Sequence, residues 1–301
     1  MSRPPTHGGY SASVVYADIP LTPSMRLALT AAFGVPVNER AVRLHGGEES
    51  AAYRVGEFVV RIGPQWRTDQ EMRWFATLAA HAATVVPEVV APVPAAAGDF
   101  VVRLSGRPVS VWPFVPGDWP AKGDHVLRYQ AAELLARLHK ALADAPMPDQ
   151  PPTPMPQGPG EDLLDPALDD WLRERASVGV QPLHGDYYRG NALAADGRIT
   201  ALLDWDDAYV GPVEKDVCEA AWEWGAGLSA GTLSGPLAFL AAYTSSGGTA
   251  VSRYALRQYA RARMRAEILY ARTRWQELDA DDHAYHRAQT AAFHALKPGT
   301  A

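Results

Sequence analysis

The chain reads LHGDYYRGN at residues 183–191, directly after a short apolar run. This stretch places Asp186 and Asn191 five positions apart, and a second apolar run further along the chain ends in Asp204. Metal-assisted phosphoryl transfer needs a carboxylate beside the attacking hydroxyl and oxygen ligands for a hard cation. We therefore take Asp186 as the candidate base, and Asn191 and Asp204 as the candidate Mg²⁺ ligands.

Length and composition limit the classes of protein to which the chain can belong. Its 301 residues, 47% of them hydrophobic and 21% charged, suffice for one large domain or two lobes. The net charge of −6 argues against a general nucleic-acid binder, and the single cysteine, Cys218, excludes an intrachain disulfide. No apolar run reaches the roughly 18 residues of a membrane helix. We expect a cytoplasmic protein without a signal peptide, with residues 1–16 as a flexible tail and no nucleic-acid or membrane partner.

The first third of the chain has mostly the pattern of β-strands. Its first predicted element is an amphipathic helix that Thr22 or Ser24 caps. A hairpin is predicted to turn at Gly56-Glu57, and the strands together make a small antiparallel sheet of about five strands. The predicted elements are helices at 21–33 and 68–83 and strands at 41–44, 51–55, 58–62, 89–93, 100–104 and 109–114.

A helical remainder follows this region. Prolines and glycines between 113 and 120 break the strand pattern, and residues 145–160 form a predicted loop that prolines stiffen. Helices are predicted at 124–145, at 161–176 and over most of the chain beyond Val213. We predict an α+β fold with two lobes, residues 17–113 and 114–301, and a ligand cleft between them.

Three motifs stand in the second half of the chain: His184-Gly185-Asp186 with Asn191, Leu203-Asp204-Trp205-Asp206, and Gly211-Pro212 leading to Asp216. They resemble those of the aminoglycoside phosphotransferase and choline kinase-like family. The resemblance implies a protein-kinase-like fold, with a small antiparallel-sheet lobe that binds nucleotide and a larger, mostly helical lobe that binds substrate. It also implies ATP or GTP as co-substrate, Mg²⁺ as cofactor and a small-molecule hydroxyl as the phosphate acceptor.

The resemblance extends into the first half of the chain. FVVR at 58–61 is similar to the family's third strand, which implies that Arg61 reaches the nucleotide phosphates and that Glu71 is its ion-pair partner. WPFVPG at 112–117 resembles the hinge that binds the adenine edge, and LLARLH at 134–139 resembles the helix before the catalytic loop. The other nucleotide-binding residues implied are Trp112, Phe114 and Val115 in the hinge and Gly46 and Gly47 in a covering turn. From position alone, Arg61 and Glu71 could equally be ordinary exposed side chains.

Residues beside the motifs have alternative interpretations. His184 is predicted to hold the catalytic loop and not to carry protons. Asp206 either stands near the metal or occupies a surface turn. Asp216 either caps the helix that follows Gly211-Pro212 or holds the catalytic loop from below.

The sequence is least specific about the phosphate acceptor. Candidate residues around the acceptor or the metal are Tyr187, Tyr188, Arg189, Asp206, Asp207, Trp222 and Trp224. Because Trp222 and Trp224 are two positions apart, a helix points them to different faces, and at most one is expected to line a pocket. A row of four arginines is either a solvated helix face or a basic wall for an anionic group. This row consists of Arg253, Arg257, Arg261 and Arg265.

More than one function stays open at this point. We favour a kinase for a small metabolite, such as an amino alcohol, a homoserine-like compound or an amino sugar, since no dense acidic cluster directly follows Asp204. An aminoglycoside kinase that confers antibiotic resistance is one alternative, and a non-catalytic nucleotide-binding regulator is another. The intact set of Asp186, Asn191 and Asp204 argues against the regulator. We expect a monomer or a homodimer.

Overall fold

The computed structural model describes residues 17–44, 49–145, 160–274 and 280–299. Within these ranges an antiparallel sheet precedes a mostly helical region, as the predicted α+β fold requires. No helix in the described ranges is both long and apolar enough to span a bilayer. The predicted tail and residues 146–159 of the predicted proline-rich loop lie outside the described residues.

The N-terminal sheet has five antiparallel strands in the order β1-β2-β3-β5-β4. They are β1 (Ala41–Arg43), β2 (Ala51–Val55), β3 (Phe58–Ile62), β4 (Val101–Leu104) and β5 (Arg107–Pro113). The predicted hairpin joins β2 to β3, and Gly56 at its turn has a φ of 59°, which glycine adopts at low cost. Val60 and Ile62 are fully buried, and the alternation of a strand turns Arg61, which lies between them, to the opposite face.

The strand predicted at 89–93 is wrong. This segment makes an isolated bridge between Val89 and Leu202 and a backbone hydrogen bond from the Val93 N–H to the Val111 carbonyl oxygen at 2.8 Å, but it forms no strand. Pro87 and Pro92 lack the amide N–H that a sheet ladder needs, so the apolar run cannot extend the pairing.

Helices α1 (Pro23–Phe33) and α2 (Asp69–Ala83) begin at threonine caps: Thr22, one of the two caps predicted for α1, and Thr68, where the second helix is predicted to start. The two helices belong to different hydrophobic cores. Helix α1 packs on the sheet, whereas α2 contributes residues such as Trp74 to the larger core of the helical region. Helix α2 therefore connects the sheet to the C-terminal part of the molecule.

Seven α-helices build the C-terminal region within the described residues. They are α3 (His125–Ala143), α4 (Pro166–Arg175), α5 (Val213–Trp224), α6 (Gly227–Ala230), α7 (Ser234–Ser245), α8 (Arg253–Arg274) and α9 (Ala280–Ala295). The helix predicted at 161–176 is divided into a 3-10 turn, Glu161–Leu163, and α4. The division arises because Pro166 disfavours helical backbone at the residue before it, and Asp165 there caps α4 instead.

Two small sheets bring the motif loops together. Their strands are β6 (Val180–Leu183) paired with β9 (Tyr209–Pro212), and β7 (Ala192–Ala195) paired with β8 (Arg198–Leu202). Residues 184–191 run from the first sheet to the second, and residues 203–208 run back. Both connections therefore lie at the same junction between the two sheets.

Candidate active site

The loop after β6 is fixed by a close backbone contact and by hydrogen bonds around Asp186. Gly185 has a φ of 82°, and a Cβ there would lie 2.0 Å from the carbonyl oxygen of Asp207, so the two loops can meet only at a glycine. Asp186 is buried, and its Oδ2 accepts a hydrogen bond from Asn191 Nδ2 at 2.8 Å. The same nitrogen donates to the Asp186 carbonyl oxygen at 3.0 Å. Asn191 thus fixes both the backbone and the carboxylate of Asp186.

His184 lies beneath this loop and joins it to the loop that follows β8. The ring is fully buried, its Nδ1 accepts from the Asp186 N–H at 3.3 Å, and its Nε2 donates to the Leu203 carbonyl oxygen at 3.0 Å. Burial lowers the pKa of His184, which favours the neutral ring that these two bonds require. This position supports the predicted structural role.

Asp216 lies inside α5, so the alternative that it caps this helix is wrong. The helix begins at Val213, and Asp216 Oδ1 accepts from the backbone N–H of Gly185 at 3.1 Å. Its Oδ2 lies 2.9 Å from Nε2 of His139. Burial acts to raise the pKa of Asp216, but the hydrogen bond with His139 and nearby positive charge outweigh it, and the net shift is downward. The buried carboxylate therefore holds the motif loop from below.

Asp204 stands beside Asn191 at the end of β8. The Leu203 N–H donates to the Asn191 carbonyl oxygen at 2.8 Å, which joins the two motif loops. Asp204 has a φ of 59°, and this left-handed conformation costs a residue other than glycine about 1 kcal/mol. Its side chain is 42% exposed, so the carboxylate is accessible from solvent.

Two arginines of the N-terminal region contact the acidic loop that contains Asp204. Arg61 Nη2 lies 3.1 Å from Asp204 Oδ1 and 3.0 Å from Asp206 Oδ2. Arg67 donates to Asp206 at 2.6 Å and to Glu49 at 3.1 Å. Burial acts to lower the pKa of Arg61, but the charges of Asp204 and Asp206 outweigh it and raise the pKa above its usual range. Asp206 lies in a turn, as one alternative predicted, and its side chain, which is 17% exposed, belongs to this charged cluster.

The ion pair predicted between Arg61 and Glu71 does not form. Glu71 Oε2 instead accepts from the N–H and the hydroxyl of Thr68, both at 2.7 Å, while Thr68 Oγ1 accepts from the Glu71 N–H at 3.1 Å. This reciprocal capping box satisfies donors at the start of α2. Glu71 is therefore a capping residue, and Asp204 and Asp206 provide the carboxylates beside Arg61.

Of the predicted hinge residues, Trp112 lies near the end of β5, and Phe114 and Val115 follow the strand directly. The ring centre of Phe114 lies 3.7 Å from the Arg54 guanidinium carbon, which restrains this ring. Trp112, Phe114 and Val115 are all half-buried, so part of each surface stays accessible. Their contact with a nucleotide remains a prediction. Gly46 and Gly47, predicted to cover the nucleotide, lie outside the described residues.

A narrow recess lies beside Asp186, between the motif loop, α5 and α8. Tyr188, Glu219, Glu223 and Arg263 line it together with Asp186. Arg263 Nη2 lies 3.1 Å from Asp186 Oδ1. Sequence reasoning missed Arg263 because it falls outside the four-residue row of arginines on the same helix. Arg263 could be selected only by knowing that α8 faces the motif loop, and this packing is decided by the tertiary fold.

The other residues predicted to lie near the acceptor take different positions. Tyr187 borders the recess, but its hydroxyl donates to a backbone carbonyl of α3 at 2.8 Å, as a packing residue does. Trp222 and Trp224 are both buried in the C-terminal core, and neither lines the recess. Arg189 donates to the carbonyl oxygen of Pro120 at 3.4 Å.

The prediction that the row of four arginines on α8 forms a solvated face is wrong for two of them, Arg261 and Arg265. Arg261 is 1% exposed, and it donates to Asp165 and, at 2.9 Å, to the carbonyl oxygen of Phe293. Arg265 donates to Asp169 at 2.6 Å. These side chains therefore fasten α4 and α9 to α8.

Comparison with known proteins agrees with this arrangement. The sequence profile of the phosphotransferase enzyme family (APH) matches residues 40–251, which is more than half of the chain. The chain belongs to this family. A homoserine kinase from Granulibacter bethesdensis is 27% identical over 189 residues, covering 56% of this chain and 58% of that protein. The chain thus spans little more than half the length of the curated relatives it matches.

Solved structures share the fold of this phosphotransferase family member. The amicoumacin kinase hAmiN, in complex with AMP-PNP, Ca²⁺ and Ami, has a TM-score of 0.71 at 15% identity and covers 94% of this chain and 96% of its own. A microcompartment-associated aminopropanol kinase has a TM-score of 0.71 at 17% identity, covering 90% and 95%. These likenesses confirm the predicted α+β, kinase-like fold.

The oxygen donors of this family member fit Mg²⁺. Asn191 uses its amide nitrogen to bind Asp186, and among the described residues its amide oxygen accepts no hydrogen bond. In the same part of the chain, no group of three or more His, Cys, Asp or Glu side chains could hold a metal by itself. Mg²⁺ prefers one or two protein oxygens completed by water and phosphate oxygens, a set that Asn191 and Asp204 would supply.

Proposed function

We propose that the protein is a small-molecule kinase that transfers the γ-phosphate of ATP or GTP to a hydroxyl group in the presence of Mg²⁺. The observation that carries the proposal is the group formed by Asp186, Asn191 and Asp204 at the junction of the two small sheets. Asn191 holds the Asp186 carboxylate at 2.8 Å, and its carbonyl oxygen binds the loop that presents Asp204. These hydrogen bonds support a proposed base and proposed ligand positions that are held close together.

In the proposed reaction the acceptor oxygen attacks the γ-phosphorus. A new P–O bond forms, the bond to the β-phosphate oxygen breaks, and ADP or GDP leaves with the electron pair. The hydroxyl proton passes to the Asp186 carboxylate, which Asn191 orients. Arg61 exchanges its carboxylate partners for phosphate oxygens. Mg²⁺, held by Asn191 and Asp204, would offset charge on the β- and γ-phosphates.

The acceptor that we propose is a small hydroxyl-bearing amine or amino acid. Support comes from Glu219 and Glu223, which lie on α5 beside Asp186. Carboxylates favour an ammonium group. The names of similar proteins, homoserine kinase and aminopropanol kinase, fit the same class.

A screen for acceptor-stimulated ADP or GDP release tests this proposal. The purified protein is incubated with Mg²⁺ and ATP or GTP, and with hydroxy amino acids, amino alcohols, sugars, amino sugars or aminoglycosides. We expect a small amine or amino acid to raise nucleotide turnover at least about tenfold, and Asp186→Asn to abolish the increase. The proposal fails if no acceptor stimulates turnover and no nucleotide raises the thermal unfolding temperature.

A further inference from the structure

Arg61 contacts the carboxylate that the proposed function assigns to Mg²⁺. Its Nη2 lies 3.1 Å from Asp204 Oδ1, and the Arg61 side chain is 16% exposed. The same nitrogen lies 3.0 Å from Asp206 Oδ2, so one end of the guanidinium is held between two carboxylates. A guanidinium stays protonated at any physiological pH. A permanent positive charge therefore lies against an oxygen of the Asp204 carboxylate.

The backbone of Arg61 is fixed, but its side chain can move. Arg61 lies on β3, inside the sheet, where it pairs with Ala52 of β2 on one side and with Ser110 of β5 on the other. Pairing on both sides holds the main chain of a strand. Only rotation about the side-chain bonds can therefore carry the guanidinium away from Asp204.

Arg67 gives Asp206 a second cationic partner. Its Nη1 lies 2.6 Å from Asp206 Oδ2, and its Nη2 lies 3.1 Å from Glu49 Oε2. Asp206 consequently keeps a basic partner when Arg61 moves. Asp204 differs, since among the described residues Arg61 is the one basic side chain that pairs with it. Movement of Arg61 therefore frees Asp204 and leaves Asp206 engaged.

Electrostatic repulsion makes Arg61 and a bare metal ion competitors for Asp204. Like charges a few ångströms apart repel strongly in a partly buried setting, and Mg²⁺ carries two charges. A nucleotide triphosphate changes this balance. Its phosphate oxygens pair with a guanidinium and also complete the coordination of Mg²⁺. The guanidinium and the metal can thus lie close to each other only when phosphates lie between them.

We propose that Arg61 occupies Asp204 in the protein without nucleotide and so keeps Mg²⁺ from binding until the nucleotide arrives. The inference rests on the proposed function, in which Asp204 is a Mg²⁺ ligand. Arg61 then has two successive partners, the Asp204 carboxylate and the phosphate oxygens. The same movement places a positive charge on the phosphates and frees the metal ligand. Metal and nucleotide therefore enter the site together.

Binding of Mn²⁺, which prefers the same oxygen ligands as Mg²⁺, tests this role without a measurement of activity. The full chain is titrated with Mn²⁺ in the absence of nucleotide, and free Mn²⁺ is measured by electron paramagnetic resonance. We expect Arg61→Gln to tighten Mn²⁺ binding at least about tenfold, because the competing charge is removed. The same variant should bind AMP-PNP with saturating Mg²⁺ more weakly than the wild type. A purely structural loss would weaken both.

Three variants show whether the gained affinity belongs to Asp204. Adding Asp204→Asn to Arg61→Gln should abolish the gain. Arg67→Gln is the matched control, because it removes an equal charge from the same cluster but pairs with Asp206 and not with Asp204. It should change Mn²⁺ affinity less than about twofold. Arg61→Lys keeps the charge and should also leave the affinity close to that of the wild type.

The outcomes separate this inference from the proposed function. Equal Mn²⁺ affinity in wild type and Arg61→Gln would overturn the inference, and so would an equal gain in Arg67→Gln. Either result leaves the kinase function intact if an acceptor still stimulates release of ADP or GDP. A wild-type protein that binds no Mn²⁺ even with AMP-PNP, and that releases no ADP or GDP with any acceptor, would fail on both counts.

The wild type decides the question if Arg61→Gln does not fold. A dissociation constant for Mn²⁺ below about 0.1 mM without nucleotide would overturn the inference, because Asp204 would then be open to the metal. Weaker binding that Asp204→Asn leaves unchanged would support it, because Arg61 would already have closed that ligand to the metal.

Discussion

The two carboxylates at the centre of the site each contact an arginine, but the two contacts differ in setting. Asp204, on the proposed nucleotide side, is 42% exposed and meets Arg61 from the central strand of the sheet. Asp186, on the proposed acceptor side, is 7% exposed and meets Arg263 from α8. Both arginines are largely buried, so the difference lies in the carboxylates: a partly exposed carboxylate loses its partner at lower cost than a buried one. The Arg61 contact is therefore the easier of the two to exchange for a phosphate.

The largest expected effect is the loss of kcat on substitution of Asp186, the buried carboxylate. Asp186→Asn keeps the shape of the side chain but removes the proton acceptor, so we expect kcat to fall about 10²- to 10⁴-fold. The nucleotide dissociation constant should change less than about threefold, because Asp186 lies outside the Arg61 cluster. Single-turnover transfer and nucleotide titration measure the two quantities. Transfer that survives in Asp186→Asn would remove Asp186 from the proposed mechanism.

The buried ion pair between Asp165 and Arg261 should also be sensitive to substitution. Asp165→Asn leaves Arg261 buried without its carboxylate partner, and we expect a loss of about 3–5 kcal/mol in the free energy of unfolding at pH 7. Asp169→Asn is the matched control, because its partner Arg265 is only partly buried and the loss should be smaller. Urea unfolding measures both values. Equal losses would show that burial does not distinguish the two pairs.

The same pair predicts a dependence of stability on pH. Burial acts to raise the pKa of Asp165, but hydrogen bonds from Arg261 and the Leu168 N–H outweigh it and lower the pKa to about 2. Because this pKa is below the value of 3.8 for the unfolded chain, the carboxylate stabilises the fold above about pH 4 and loses that contribution as the pH falls toward 2. The stability difference between wild type and Asp165→Asn should shrink by about 2 kcal/mol over this range. A constant difference would contradict the lowered pKa.

On the nucleotide side we expect a moderate effect. Arg61→Ala should raise the KM for ATP or GTP about 10- to 100-fold, because it removes a charged partner of the phosphates. Arg61→Lys should recover part of the loss, since it restores the charge without the planar fork. Steady-state kinetics with a fixed acceptor measure these values. An unchanged KM in Arg61→Ala would mean that Arg61 only holds the acidic loop.

The smallest expected effect tests the reassignment of Glu71. Glu71→Ala removes half of the capping box and should cost about 1 kcal/mol of stability, with the nucleotide KM unchanged within about twofold. Glu71→Gln keeps a capping oxygen and should remain close to wild type. A rise in KM as large as that of Arg61→Ala would instead restore the predicted pairing of Glu71 with Arg61.

Local signals in the sequence determined most of the fold and the centre of the site. The caps at Thr22 and Thr68, the hairpin at Gly56 and the contiguous loop at 184–191 each depend on neighbours within a few residues. Such features can be predicted because the groups that interact are already close in the chain. No strand forms at 89–93, although its residues are apolar, because Pro87 and Pro92 lack the amide N–H that strand pairing needs.

The tertiary structure alone decided which charged groups meet. Arg263 and Asp186 are 77 residues apart, and their contact depends on how α8 packs beside the motif loop. Arg61 meets Asp204 and not Glu71 because the capping box at the start of α2 already engages the Glu71 carboxylate. The sequence thus indicated the proposed base and the proposed Mg²⁺ ligands, since these lie in short loops. It could not indicate that Arg263 lies beside Asp186, because the packing of distant helix faces sets which side chains share a buried space.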